Sequence, residues 1–277
     1  MKDLKGKLAV VTGGASGIGE AMVEVFAEAG MAVVVADIEA QKAEAVAARY
    51  AKPGVRCVGM GVDVASGDSV RALALRCERE LGPVHVLCNN AGVLLMGPQA
   101  DMIAGDWRWT FDVNVLGVAH GLEHFLPRMR AHSERTGEQA HVVNTASVTG
   151  LRGSAGTFIY SATKAAVLSI SESLRDELAG TPIGVSVVLP SDIRSQIVAS
   201  QRNRPSETGR AYRQSVDPEL AAKHGLSPRE VGLRVRDAIL RNQFYVFTMP
   251  ASVAPANRAV IEGRAKELLE ALEAGIV

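Results

Sequence analysis

Short, continuous apolar runs alternate along the chain with longer segments in which apolar residues recur every three or four positions. The short runs fall at residues 8–12, 32–36, 55–62, 84–89, 142–145, 183–189 and 244–249. Each has strand length, and continuous rather than alternating apolarity marks strands covered on both faces. The longer segments, at residues 16–29, 39–50, 66–81, 107–132, 160–179, 228–242 and 256–274, carry the helical period. Pro127 marks a place where the fourth of these can break. Strands and helices in alternation predict an α/β fold: a Rossmann-type, doubly wound, parallel seven-stranded sheet with helices on both faces. No repeat and no linker-like stretch divides the chain, so residues 1–277 read as a single domain. Two polar stretches interrupt the pattern. Residues 133–139 read as a charged surface turn. Residues 191–226 are far longer and read as a lid, because long loops in compact domains are usually functional or mobile. Residues 251–277 form a C-terminal extension.

Composition narrows the function classes. The chain is 47% hydrophobic over 277 residues, enough for a substantial core. Thirty basic residues balance thirty acidic ones, which argues against nucleic acid or an anionic membrane as the main partner. The polar start, residues 1–7, runs straight into the first apolar run, and no stretch has the length of a signal sequence or a membrane span. Cys57, Cys77 and Cys88 are odd in number and widely spaced, which fits reduced thiols and a cytoplasmic location.

Candidate chemistry gathers at the ends of the apolar runs. Thr12-Gly13-x-x-x-Gly17-Ile18-Gly19 joins the first strand to the first helix. Glycines there permit a tight turn and close backbone approach, and the helix start, with Ser16, offers free N–H groups to a pyrophosphate. The spacing is not G-x-G-x-x-G, and a plain βα turn reads the same in isolation. Asp37 ends the second strand, 18 residues after Gly19, close to the ~20 expected of a carboxylate that accepts from a ribose 2′-OH. Ile38 follows where a cation would greet a 2′-phosphate, so the expected cofactor is NAD. Asp37 can equally cap the next helix. Asp63 ends the third strand and Asn89-Asn90-Ala91-Gly92 the fourth, so these strand ends share the edge where open α/β sheets bind ligands.

The fifth strand leads to Ser147, and Tyr160 and Lys164 follow four apart on a predicted helix. That spacing puts phenol and ammonium side by side on one face. A nearby positive charge favours the phenolate and so draws a tyrosine toward neutral titration, as acid/base chemistry requires. Ser147 can hold a substrate oxygen beside that tyrosine.

Taken in order, the glycine turn, Asp63-Val64, Asn89-Asn90-Ala91-Gly92, Asn114, Ser147 and Tyr160-x-x-x-Lys164 resemble the motifs of the short-chain dehydrogenases/reductases, over about residues 6–200. The resemblance implies interconversion of a secondary alcohol and a ketone by hydride transfer with a nicotinamide, Tyr160 serving as general acid/base. It implies Asp63 and Val64 near the adenine, Asn90 with Ala91 and Gly92 on the nucleotide-ribose side, and Tyr160 and Lys164 on the nicotinamide ribose. It implies that Asn114 holds a water linking Lys164 to a proton relay, and that Pro190, Ile193 and Ser195 meet the nicotinamide end. The family usually has Pro-Gly after the sixth strand, where this chain has Pro190-Ser191. The resemblance also implies a homo-oligomer, dimer or tetramer, through the helices starting near Trp107 and Tyr160.

Three further features compete for attention. His120-x-x-Glu123-His124 matches an inverted zinc-protease pattern, but no third ligand is evident, and no metal is expected. The lid carries Arg194, Arg202, Arg204, Arg210 and Arg213 against Glu207, an excess that suits either an anionic substrate or a solvated surface. The stretch 190–197, with the arginines after it, loosely resembles a subgroup that oxidises benzylic alcohols of aryl ethers. The expected partner is therefore a small-molecule alcohol or ketone. Reduction of an imine or sugar, or a silent nucleotide-binding regulator, stands as the alternative.

Overall fold

All seven apolar runs become strands of one parallel sheet in the computed structural model, which describes residues 1–206 and 225–275. They are β1 (Leu8–Thr12), β2 (Ala32–Asp37), β3 (Cys57–Gly61), β4 (Val86–Asn89), β5 (Ala140–Thr145), β6 (Ile183–Pro190) and β7 (Tyr245–Thr248), in the order β3-β2-β1-β4-β5-β6-β7. Among the described residues the helices are α1 (Gly17–Glu28), α2 (Ala40–Tyr50), α3 (Gly67–Leu81), α4 (Ala104–Phe111), α5 (Gly117–Thr136), α6 (Phe158–Glu177), α7 (Pro228–Arg241) and α8 (Ala254–Gly275).

The continuous apolar runs have a direct structural cause. Side chains alternate between faces along a strand. Val11, Val35 and Cys88 pack with Met22 and Phe26 of α1 and with Val235 and Ile239 of α7. Val10, Val34 and Leu87 pack on the other face with Leu73 of α3 and Phe125 and Met129 of α5. Both faces being dry, every residue of β1 is buried. Cys77 and Cys88 are buried and free, and burial pushes the Cys77 thiol up to about 12.

Local chemistry sets the element ends. Ser66 caps α3 by accepting the Ser69 N–H, while α7 opens with Pro228 and ends at Asn242 in the left-handed region. The long helix expected at 107–132 is differently built. It begins at Ala104, widens into a π turn at Asp112–Leu116, and then runs unbroken through Pro127 to Thr136. Pro127 is exposed, so the carbonyl it leaves without an N–H faces water, and the helix continues. The start of the third run turns back on itself, Val55 pairing with Lys52, so β3 begins only at Cys57.

Ser191 fits where the family's glycine is usual, because the left-handed residue is its neighbour Asp192, at φ 50°. Beyond it the expected lid leaves and returns at one point: Ile193 bridges Leu226, and Leu226 N–H donates to the Asp192 carbonyl at 2.7 Å. Glu207, Arg210 and Arg213 lie outside the described residues. No described helix is long and apolar enough to cross a membrane.

At the opposite edge of the sheet, Glu138 Oε2 accepts from His85 Nε2 at 2.7 Å and His132 Nε2 at 2.9 Å. The other ring nitrogens fix the tautomers. Leu8 N–H donates to His85 Nδ1, and an Arg135 guanidinium N–H to His132 Nδ1. Both neutral rings therefore carry their proton on Nε2. These bonds hold the Glu138 carboxyl down at about 2, and burial holds His85 below its ordinary value. Both depressed groups favour the native state above their ordinary pKa values, and both contributions fade as pH falls. Glu138→Gln should cost about 0.5–1 kcal/mol at neutral pH, the carboxylate being partly exposed. Thermal melts should show the gap closing as pH falls through the range from 4.5 toward 2. A gap independent of pH contradicts this account.

Candidate active site

The cleft begins where β1 and β4 lie side by side while their following segments turn to opposite faces. Thr12 Oγ1 stitches the two strand ends together. It donates to the Cys88 carbonyl at 3.2 Å and accepts the N–H groups of Asn90 and Ala91 at 2.9 and 3.1 Å. Asn90 Nδ2 answers by donating to the carbonyls of Thr12 and Gly13 at 3.0 and 3.4 Å. Gly13 has φ +63°, and a Cβ there would come within 2.8 Å of Ala91 Cα. The glycine is thus required twice, by conformation and by space.

The loop feeds α1 with its end open. Ser16 is extended and its side chain makes no capping hydrogen bond, so the first-turn N–H groups of Gly17 and Ile18 lack a side-chain acceptor at the cleft. Asp37 is nearly buried and does two structural jobs. Oδ2 accepts the Ala15 N–H and Oδ1 the Glu39 N–H, each at 3.0 Å. Neither bond is a helix cap, because α2 begins at Ala40 with Glu39 at its N-cap, and both oxygens keep lone pairs for a further donor. Ile38 is half exposed beside it. Asp63 closes the turn after β3 by accepting the Ala65 N–H, and Val64 is buried under the cleft floor.

At the other end, Ser147 follows β5 and accepts from Thr149 N–H at 3.2 Å and from Thr149 Oγ1 at 3.0 Å. Its own hydroxyl can donate to the Pro190 carbonyl, at 3.4 Å. Lys164 is buried and donates to the Thr145 carbonyl at 2.8 Å, with its Nζ 5.6 Å from the centre of the Tyr160 ring. Burial dominates both titrations. The Tyr160 phenol is pushed up to about 12, its hydrogen bond with Ser147 opposing, and the Lys164 ammonium is drawn down to about 8. The depressed tyrosine expected from helical spacing is therefore not found: Lys164 aims at a carbonyl, and the dry walls disfavour both charged forms. Asn114 lies in the π turn, nearly inaccessible. Its Nδ2 donates to the Val93 carbonyl and to Thr163 Oγ1, and its Oδ1 accepts the Val93 N–H. Its side chain is thus committed to protein partners. π turns recur at functional sites.

Every site residue expected from the sequence lines this cleft, of about 360 Å³, except Gly19 and Asn114. Gly19 lies behind the loop, where a Cβ would strike the Gly13 carbonyl oxygen at 2.0 Å. Asn114 backs Gly92, where a Cβ would stand 3.3 Å from its Oδ1 and 3.5 Å from Lys164 Nζ. A glycine-floored cleft with an open helix start at one end and a serine, a tyrosine and a lysine at the other fits an extended dinucleotide.

The family model for short chain dehydrogenases matches residues 7–206. The chain belongs to the short-chain dehydrogenase family. Its members are oxidoreductases that bind a nicotinamide cofactor. The chain is 33% identical over 256 residues to a Cα-dehydrogenase of Sphingobium sp. strain SYK-6, covering 90% of this chain and 83% of that one. Among solved structures, a short-chain dehydrogenase/reductase from Burkholderia phymatum in complex with NAD superposes with TM-score 0.87 at 34% identity, covering 97% and 96% of the two chains. A short-chain dehydrogenase from Novosphingobium aromaticivorans gives 0.82 at 31%, covering 96% and 88%.

Two arginines of this short-chain dehydrogenase have duties that its sequence did not disclose. Arg202 reaches the far rim and donates to Glu39 Oε2 at 2.8 Å; with Lys42 it holds that carboxyl down at about 2. Arg204 forms a buried ion pair with Asp106 of α4 at 2.6 Å and lies over the Trp109 ring. Neither contact has a local sequence signal, because the partners are 163 and 98 residues apart. The arginine excess is thus spent partly within the protein. His120, Glu123 and His124 do not converge as a trio either: His120 Nδ1 pairs with the Val64 carbonyl, while exposed Glu123 approaches only His124, at 3.9 Å. Among the described residues, ligand atoms cluster only at His85, His132 and Glu138, where both Nε2 atoms already carry protons.

Asp106→Ala removes the buried carboxylate that pairs with Arg204 and should cost about 3 kcal/mol, whereas Asp106→Leu with Arg204→Met should recover most of it in urea melts. Equal losses in both variants rule out the pairing as the cause. Gly19→Ala should abolish cofactor binding, measured by NADH fluorescence, although Gly19 does not line the cleft.

Proposed function

We propose that the protein interconverts a secondary alcohol and a ketone with NAD, using Tyr160 as the general acid/base. One observation carries the reading: Ser147, Tyr160 and Lys164 share the end of a cleft whose other end is the glycine loop and Asp37. When bound, the nicotinamide exchanges a hydride with the carbinol carbon and, oxidised, adds a positive charge to the cleft. Ser147 Oγ, already accepting two bonds from Thr149, is left with a polarised proton for the substrate oxygen. Tyr160 takes the hydroxyl proton in oxidation and returns it in reduction. Lys164 favours the phenolate while it is charged, and the Thr145 carbonyl fixes its place.

Asp37 supports NAD over NADP, since its carboxylate suits a ribose 2′-OH and repels a 2′-phosphate. Glu39 adds a second carboxylate at the same rim and ties up Lys42 and Arg202 there. The likeness to the Sphingobium Cα-dehydrogenase makes a benzylic secondary alcohol the first substrate class to assay. The apolar walls Val113, Val148 and Ile197 suit an aryl group. Assembly as a dimer or tetramer and a cytoplasmic setting belong to the same reading.

Tyr160→Phe should bind NADH within about threefold of the unaltered protein yet lose about a thousandfold in turnover. Substantial residual dehydrogenase activity refutes the assigned role. Oxidation needs the phenolate, and burial favours the phenol, so kcat/KM for alcohol oxidation should climb with pH from about 6 and level off above about 8, where Lys164 loses its charge. Ketone reduction should not climb with it. A flat oxidation profile goes against Tyr160 as the base. A kinetic preference for NADP overturns the cofactor assignment.

A further inference from the structure

Two donors from one residue meet at the Ser147 hydroxyl. Thr149 supplies both, its N–H at 3.2 Å and its own hydroxyl at 3.0 Å. A serine oxygen has two lone pairs and one proton. With its lone pairs engaged by Thr149, Ser147 enters the cleft as a donor. Its proton can go to the Pro190 carbonyl, a long bond at 3.4 Å, or to the Tyr160 oxygen. Burial pushes the Tyr160 phenol up, and the Ser147 bond pulls against it, as a donor to the phenolate does.

The backbone keeps Thr149 in this place. Ser147 is the N-cap of a short 3₁₀ turn, Val148–Gly150, and accepts the Thr149 N–H there. Gly150 lies against α6: a Cβ on it would stand 2.6 Å from the Lys164 carbonyl oxygen and 3.0 Å from the Ala165 nitrogen. The turn is thus seated on the helix that carries Tyr160 and Lys164, and Thr149 lines the same cleft. The N–H makes its bond whatever side chain stands at position 149. The hydroxyl is what the residue type adds.

We infer, on the alcohol–ketone reading, that Thr149 is a positioning residue for the reaction: its hydroxyl holds Ser147 as a donor, so that the substrate oxygen accepts from Ser147 and its own proton is left to Tyr160. Without that hydroxyl a lone pair opens on Ser147. Ser147 can then turn its proton to Pro190 and accept the substrate proton itself, a pose from which Tyr160 takes nothing. The loss falls on the chemical step rather than on binding, because the Ser147 bond strengthens as negative charge gathers on the substrate oxygen.

Thr149→Val keeps the shape and removes the hydroxyl, whereas Thr149→Ser keeps the hydroxyl. With a benzylic secondary alcohol and NAD, Thr149→Val should lose about tenfold in kcat, with KM within about twofold and NADH binding unchanged. Thr149→Ala should match it, and Thr149→Ser should stay within about threefold of the unaltered protein. In a Ser147→Ala background, Thr149→Val should cost less than about twofold further, since the cycle isolates what acts through Ser147. Full turnover in Thr149→Val, an equal loss in Thr149→Ser, or an undiminished loss in the Ser147→Ala background each overturns the inference. Tyr160→Phe, assayed alongside, tells the two failures apart. An inactive Tyr160→Phe beside a fully active Thr149→Val refutes the role of Thr149 alone, whereas an active Tyr160→Phe removes the functional reading and the inference together.

Discussion

One hydroxyl holds the point at which the sheet changes direction. β1 and β4 are neighbours in space but are 74 residues apart between Thr12 and Val86, and the segments that follow them diverge. A parallel pair ending in glycine-rich turns leaves main-chain groups unpaired where the ladder stops. Thr12 Oγ1 serves three of them, and the Asn90 side chain serves two more. With these bonds in place the two loops sit close enough for Gly13 to touch Ala91. The cleft opens outward from that contact. Its glycine end, its acid and its reactive end all take their positions from strands whose ends this contact brings into line.

The reactive end shows the opposite economy of charge. Dry walls raise the phenol to about 12 and lower the ammonium to about 8, so each group is pushed toward its neutral form. Side-by-side placement alone does not make a base. A phenolate becomes accessible only when favourable charge exceeds the desolvation cost, and the Thr145 carbonyl directs Lys164 instead of neutralising it. Ser147 works in the same direction as a donor. Burial alone therefore leaves the phenol protonated at neutral pH.

Much of this was legible in the chain because short-range rules governed it. β1 to β7 announced themselves as apolar runs, since burial on both faces removes the polar alternation. Tyr160, Lys164 and Ser147 could be placed by spacing and by strand ends. Other features depended on distant partners. Pro127, where the helix could break, leaves it intact because the proline is exposed, and the π turn at Asp112–Leu116, where Asn114 packs between Val93 and Thr163, had no local signal. Gly19 reads as a ligand contact in sequence; in the fold it lies behind the loop, where a Cβ would meet the Gly13 carbonyl oxygen. The arginine-rich stretch looked uniform in sequence. In the fold, one arginine is buried against Asp106 and another spans to Glu39.

Those two pairs define what the lid wall can do. They flank Asn203 and pull in opposite directions, Arg202 toward the ribose end and Arg204 toward α4. The first is partly exposed, so its strength depends on salt and solvent. The second is 4% and 2% exposed and repays little net stability against its desolvation cost, but it tolerates hardly any displacement. Residues 197–203 are therefore fixed firmly at the α4 end and loosely at the cofactor rim. The stretch is thus held most tightly beside Asp106 and Trp109 and least tightly beside Glu39.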